Sequence, residues 1–173
     1  HAIVPDIVTL GKPMGNGYPV AALVTRPDIL AEFGRNTRYF NTFGGNTVAV
    51  AVAGAVLDVI ESENLMQNAN AVGAYLKCSL KELAADVPEI GDVRGAGLFI
   101  GIEIVSNRDT KEPDPRLAAD LVNGLREDGV LISGCGLRAN TLKIRPPLTF
   151  RKEHADLLVG ALTKALQSYT NRH

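Results

Sequence analysis

The apolar positions of this chain change period several times, and each change marks an element. Residues 6–10 carry the continuous run Ile7-Val8-Thr9-Leu10, which predicts a buried strand, and residues 19–25 predict a second strand after a glycine-rich turn. Pro27 to Phe33 reads as a short helix with proline in its first turn. The stretch from Asn46 to Ser62 is ambiguous by pattern, because Val48, Val50 and Val52 alternate as in a strand. The run continues through Ala55, Val56, Leu57, Val59 and Ile60, beyond a strand's usual length, so a helix capped by Asn46 or Thr47 is expected. From Asn64 to about Val87 the apolar residues Leu65, Ala69, Val72, Leu76, Leu80 and Leu83 recur at three- and four-residue intervals. That is a helix with one buried face, and Pro88 stops it.

Beyond Pro88 the pattern alternates between the two periods. Leu98 to Val105 predicts a strand, Pro115 to Glu127 a helix, Val130 to Ser133 and Thr141 to Ile144 two further strands. A closing helix gathers Leu158, Ala161, Leu162, Ala165 and Tyr169 on one side. The stretch SNRDTKEPDP reads as a polar loop, and there is no internal repeat or low-complexity segment. The fold class is α/β, and the helix from Asn64 carries the chain out of one unit into a second.

Composition narrows the function classes. Hydrophobic residues make up 46% of 173, without tryptophan, which is aliphatic material enough for an ordinary globular core. A net charge of -1 with scattered basic residues offers no electrostatic reason to expect nucleic acid or an anionic membrane. No apolar run approaches a membrane span or a signal peptide. Cys78, in a helical stretch, and Cys135, in SGCGL, make neither a disulfide framework nor a metal spacing, so a reducing, cytoplasmic setting is expected. Cys135 reads as a small residue filling a turn. His1 and His173 lie at the ends and His154 opens the last helix, so no metal site or histidine-based nucleophile pair is built from them.

Against this background Lys12 stands out. It follows the apolar run and opens LGKPMGNGYP, a turn built on Gly11, Gly15 and Gly17. A strand's end in an α/β fold borders the crevice where ligands bind, so an ammonium there is a candidate for chemistry. From spacing alone a solvated turn lysine is the commoner occupant of such a loop. A phosphate loop does not fit, because Pro13 rather than Ser or Thr follows Gly11-Lys12 and no glycine stands five residues earlier. Taken by themselves, Thr42 in NTFGGN is a loop threonine ahead of a helix, and Arg145 in KIRPPL is a strand-end arginine suited to pairing with a local acid. Gly95 and Gly97 lack the spacing of a dinucleotide fingerprint and read as a tight turn. Arg94 reads as a packing residue near a domain junction, and Asp6 as a local turn or cap residue.

The segment PDIVTLGKPMGNGYPVAALVTR resembles the active-site lysine segment of the class III aminotransferases, the ω-aminotransferase branch of the pyridoxal-phosphate (PLP) enzymes of fold type I. YFNTFGGNTVAVAVAGAVLDVIESENL, IGDVRGAGLFIGIEIV and LKIRPPLTFRKEHADLL resemble further blocks of that family and follow in its order. GKPMGNG, with proline after the lysine, is most similar to the subgroup of ethanolamine-phosphate and phosphohydroxylysine phospho-lyases. The resemblance implies the C-terminal portion of a longer protein. Residues 1–63 would end the large PLP-binding domain, and residues 64–173 would form the small C-terminal domain with its linking helix.

The same resemblance implies the roles of individual residues. Lys12 would form the Schiff base with PLP, be displaced by the substrate amine and then shuttle the proton at the substrate carbon, one side chain serving as tether and as acid-base group. Thr42 would hydrogen-bond the cofactor phosphate of the neighbouring subunit, since the family acts as a homodimer with shared sites. Arg145 would receive the substrate carboxylate through a bidentate pair. Thr47 departs from the family pattern, which has proline after GGN, and this puts the rigidity of the Thr42 loop in question. The acid that partners the pyridine nitrogen and the aromatic that stacks on the ring belong in the family to segments before His1, so the 173 residues alone are expected to be a poor catalyst. The implied partner is a small-molecule amine, and the reaction is amino transfer or, alternatively, phospho-elimination from a phosphorylated amine. A non-catalytic interaction module is the reading from another class, and the presence of Lys12, Thr42 and Arg145 speaks against it.

Overall fold

A computed structural model describes residues 2–170 and divides the chain into two compact units, one ending at Glu63 and the other beginning at Asn64. The terminal histidines His1 and His173 lie outside the described residues.

In the first unit, β1 (Ile7–Leu10) and β2 (Ala22–Thr25) pair antiparallel, with Leu10 opposite Ala22 and Ile7 opposite Thr25. A 3-10 turn over Lys12–Gly15 begins the connection. Helix α1 (Pro27–Asn36) starts at its proline, and α2 (Thr47–Ser62) settles the ambiguous valine stretch as helix. Asn46 caps α2, its side-chain oxygen accepting the Ala49 N–H at 2.9 Å, so one orphan amide of the first turn is satisfied. One expectation needs correction, because the strand at residues 6–10 is not buried. Ile7 is 51% exposed and Leu10 41%, and across the pair Leu23 and Val24 are each 58% exposed. An apolar run announces a surface that packs; it does not supply the cover.

The second unit holds the core. Helix α3 (Leu65–Asp86) leads into β3 (Ile90–Ala96), β4 (Phe99–Asn107) and the short β5 (Glu112–Pro113); then come α4 (Pro115–Glu127), β6 (Ser133–Cys135), β7 (Thr141–Ile144) and α5 (Lys152–Thr170). The sheet runs β3-β4-β7-β6 with every neighbour antiparallel, and β5 pairs with the end of β4. Ile100, Ile102 and Ile104 of β4 and Leu142 and Ile144 of β7 project from one face into Leu76 and Leu80 of α3, Leu117 and Leu121 of α4, and Leu158 and Leu162 of α5. Helices α3 and α5 are tied at the surface by Tyr75, whose hydroxyl donates to Asp156 at 2.7 Å. That carboxylate holds the phenol proton above its usual range.

Several boundaries differ from the sequence expectation for identifiable reasons. Strand β3 escapes the alternation rule because its register shifts between Ile90 and Asp92, putting Ile90 and Val93 in the core three residues apart. The polar stretch after Val105 contains the end of β4 and all of β5, which is held by backbone pairing rather than by apolar side chains. Val130 and Ile132 pack against the core ahead of β6, not within it. Cys135 accordingly lies in the ladder opposite Thr141 and is not a turn residue. Gly97 and Leu98 make the tight β3–β4 turn, with Gly97 in the left-handed region at φ +52, whereas Gly95, expected to share that turn, lies within β3 opposite Ile100. Helix α3 crosses that turn at Gly73, where a Cβ would stand 2.0 Å from the Gly97 carbonyl oxygen.

Candidate functional site

Lys12 lies two positions past the end of β1 and opens the 3-10 turn. Its φ is +47, a left-handed conformation that an L-residue with a side chain adopts at a cost of roughly 1–2 kcal/mol, and Pro13 follows directly. Backbone bonds close the turn around it: the N–H of Met14 to the Gly11 carbonyl (3.3 Å), Asn16 to Pro13 (2.9 Å) and Tyr18 to Gly15 (3.0 Å). Gly15 is required by space, since a Cβ there would lie 2.7 Å from Cγ1 of Val20 and 3.3 Å from Cβ of Tyr18. The lysine side chain is exposed, and among the described residues its ammonium makes no hydrogen bond or ion pair.

Thr42 occupies the loop between α1 and α2 and is exposed. Two asparagines hold that loop. The side-chain oxygen of Asn41 accepts the N–H groups of Phe43 (3.2 Å) and Gly44 (2.9 Å), and the Asn46 amide donates to the Phe43 carbonyl at 2.8 Å. Gly45 takes φ +70 just before the cap. Thr47 is the first residue of α2, the position where proline is also favoured, so the two asparagines and the cap brace the loop in a proline's absence. The Thr42 hydroxyl makes no hydrogen bond among the described residues and is available as a donor. The turn that carries Lys12 packs against α2.

Arg145 stands in the second unit, exposed, one residue past β7 and ahead of Pro146-Pro147. No acid pairs with it among the described residues, so the local ion pair that a strand-end arginine invites is not made. It lines a cleft of about 610 Å³ together with Lys143, Ser133, His154, Phe150 and Leu157. Arg94, by contrast, is engaged by the carboxylates of Asp92 and Glu103, both at 2.9 Å, which hold its proton more firmly than usual. Asp6 makes an ion pair with Arg26, whose guanidinium also bonds Asp28 and keeps that carboxyl below its ordinary range. Lys12 and Thr42 thus belong to one unit and Arg145 to the other.

Lys12 and Thr42 fit a covalently tethered phosphate-bearing cofactor in their chemistry: a free amine beside a left-handed turn, and a free hydroxyl on a braced glycine loop. No group of His, Cys, Asp or Glu that could hold a metal occurs among the described residues. No helix among them is long and apolar enough to cross a membrane.

A family model described as aminotransferase class-III matches residues 1–166. Among curated relatives, the chain is 48% identical to alanine–glyoxylate aminotransferase 2 homolog 2, mitochondrial, of Arabidopsis thaliana, covering 94% of this chain and 34% of the relative. It is 44% identical to ethanolamine-phosphate phospho-lyase homolog 1 of Caenorhabditis elegans, over 94% of this chain and 35% of the relative. The chain therefore spans about a third of the length of the curated relatives it matches. Among solved structures, a phospholyase from Arthrobacter in complex with phosphoethanolamine superposes with a TM-score of 0.93 at 46% identity, covering 96% of this chain and 40% of that one. An amine transaminase from an uncultivated Pseudomonas species in its PLP-bound form gives 0.85 at 34% identity, covering 95% and 38%.

Proposed function

The chain belongs to the class-III aminotransferase family, and on that premise we propose that it carries the lysine side of a PLP-dependent active site acting on a primary amine or amino acid. The observation that supports this reading most is Lys12, an unpaired amine in a strained left-handed conformation at a strand's end. When bound, PLP supplies an electron sink for the charge that develops on the substrate carbon beside the amine. Lys12 would hold the cofactor covalently through its Nζ. Its Nζ would also be the group that takes up and gives back the proton at the substrate carbon beside the amine. The Thr42 hydroxyl donates to the cofactor phosphate, in a homodimer to that of the neighbouring copy. Arg145 orients a substrate carboxylate by a bidentate pair.

In the transamination reading Lys12 would move a proton at the substrate, and a keto acid would be the second substrate. The second reading, phospho-elimination from a phosphorylated amine, is favoured by the lysine-segment wording GKPMGNG and by the cationic cleft around Arg145. The two free cysteines, Cys78 and Cys135, agree with a reducing compartment; we take the cytoplasm as the setting, although one relative's name places that protein in the mitochondrion.

Adding PLP to the protein is expected to produce a cofactor absorbance band that Lys12→Ala abolishes. A band of equal strength in Lys12→Ala would sink the assignment. Incubation with phosphoethanolamine, and separately with ω-amino acids plus a keto acid, decides between the reactions. Phosphate release without a keto acid excludes simple transamination.

A further inference from the structure

We propose that Asn68 is a positioning residue for Arg145: from helix α3 it fixes the turn that follows the arginine and so sets where the guanidinium meets a substrate anion. This rests on the reading of Arg145 as a substrate-binding residue and adds a residue that acts through it. The segment from Arg145 to Phe150 joins β7 to α5. On the β7 side it is anchored by Ile144, which is 4% exposed in the core. Past Arg145 it has few bonds of its own, because Pro146 and Pro147 carry no N–H. One turn bond closes its far end, from the Phe150 N–H to the Pro147 carbonyl at 3.0 Å.

Asn68 holds that turn from a position 80 residues away in the sequence. Its Nδ2 donates to the Leu148 carbonyl at 2.7 Å and to the Phe150 carbonyl at 3.0 Å. Both hydrogens of one amide nitrogen are thereby used, on carbonyls that flank Thr149. Asn68 is itself half-buried, and its own N–H is fixed in α3 by the Asn64 carbonyl at 3.0 Å. Helix α3 is a firm reference for the turn, since Leu65, Val72 and Leu76 are buried and Gly73 approaches the β3–β4 turn backbone to backbone.

Stiffness of the intervening chain carries the effect back to Arg145. Each proline locks its φ near about −65°, so a displacement of the turn is not absorbed by rotation there. Arg145 precedes a proline and is confined to extended backbone. No acid pairs with its guanidinium among the described residues, so its placement depends on the backbone that carries it. A bidentate contact needs that placement, because both N–H groups of the fork must meet the anion together. Two loop bonds made only for stability would leave anion affinity alone once the protein is folded; positioning makes affinity depend on them.

The test is a calorimetric titration of propionate, and separately of inorganic phosphate, into the PLP-saturated protein; the anion that the parent binds more tightly serves for the variants. Asn68→Ala removes both donors and is expected to weaken that anion about tenfold, the range for a weakened charge-assisted hydrogen bond. Asn68→Gln keeps the amide and should stay within about threefold of the parent, a fraction of one such bond. The PLP absorbance band should be the same in all of them. Ile90→Val, a core truncation on β3, lowers the thermal midpoint without touching the turn. It should leave anion affinity within about twofold, as for a distant independent site. Unchanged affinity in Asn68→Ala overturns the proposal, and so does an equal loss in Ile90→Val. Arg145→Gln separates this from the reading beneath it. If that variant loses the anion while Asn68→Ala keeps it, positioning alone falls. If Arg145→Gln binds as the parent does, or the parent binds neither anion, the Arg145 reading falls and takes the proposal with it.

Discussion

At Lys12 the side chain and the backbone want different residues. The turn places position 12 at φ +47 next to a proline, where glycine is at ease and lysine is strained, yet only lysine supplies an amine. Comparing two truncations isolates the strain. Lys12→Gly is expected to be more stable than Lys12→Ala by about 0.5–1 kcal/mol, the left-handed penalty less glycine's extra freedom when unfolded. Chemical denaturation measures the difference, and neither variant should form the PLP band. If Lys12→Ala is the more stable, the strain assigned to this backbone is absent. The role proposed for Lys12 comes from the resemblance of its segment to the family's lysine segment, since from spacing alone a lysine among glycines reads as a solvated turn residue.

Elements were legible where a cap or a long period marks them. Asp114 accepts the Leu117 N–H at 2.8 Å at the start of α4, and Pro115 follows in the first turn, so that helix spans its predicted residues. Strand β3 was invisible because glycines and a register shift interrupt its alternation, although glycine is what its surroundings require. Helix α3 meets the β3–β4 turn by backbone approach at Gly73, and the Lys77 ammonium on the same helix bonds the Gly95 carbonyl at 3.0 Å. Gly73→Ala would press a methyl into the Gly97 carbonyl, and the helix must shift to relieve it. The expected loss is on the order of 3 kcal/mol, the upper part of the overpacking range. A drop in thermal midpoint of less than a few degrees would contradict this close approach.

The molecule as a whole distributes its apolar burial unequally between the two units. Among the described residues, every fully buried hydrophobic side chain except Ala49 lies at or beyond Leu65. In the first unit β1 and β2 leave Ile7, Leu10, Leu23 and Val24 exposed, and Phe40 and Phe43 beside Thr42 are 84% and 80% exposed. Burial of a large apolar side chain contributes roughly 1.5–3 kcal/mol, and ordering each residue costs about as much, so a segment with its apolar side chains in water lacks the means to fold alone. Which of the units holds a core depends on packing that a linear pattern does not encode. A chain beginning at Asn64 is therefore expected to unfold in one cooperative thermal transition, and the residues up to Glu63 to show none when made separately. Circular dichroism on the two pieces checks this. A cooperative transition in the first piece would mean that its apolar strands find cover among those residues, and the proposed Lys12 turn could then be studied there in isolation. Without one, Lys12 and Thr42 depend for their geometry on the rest of the protein, and any assay of their chemistry has to use it.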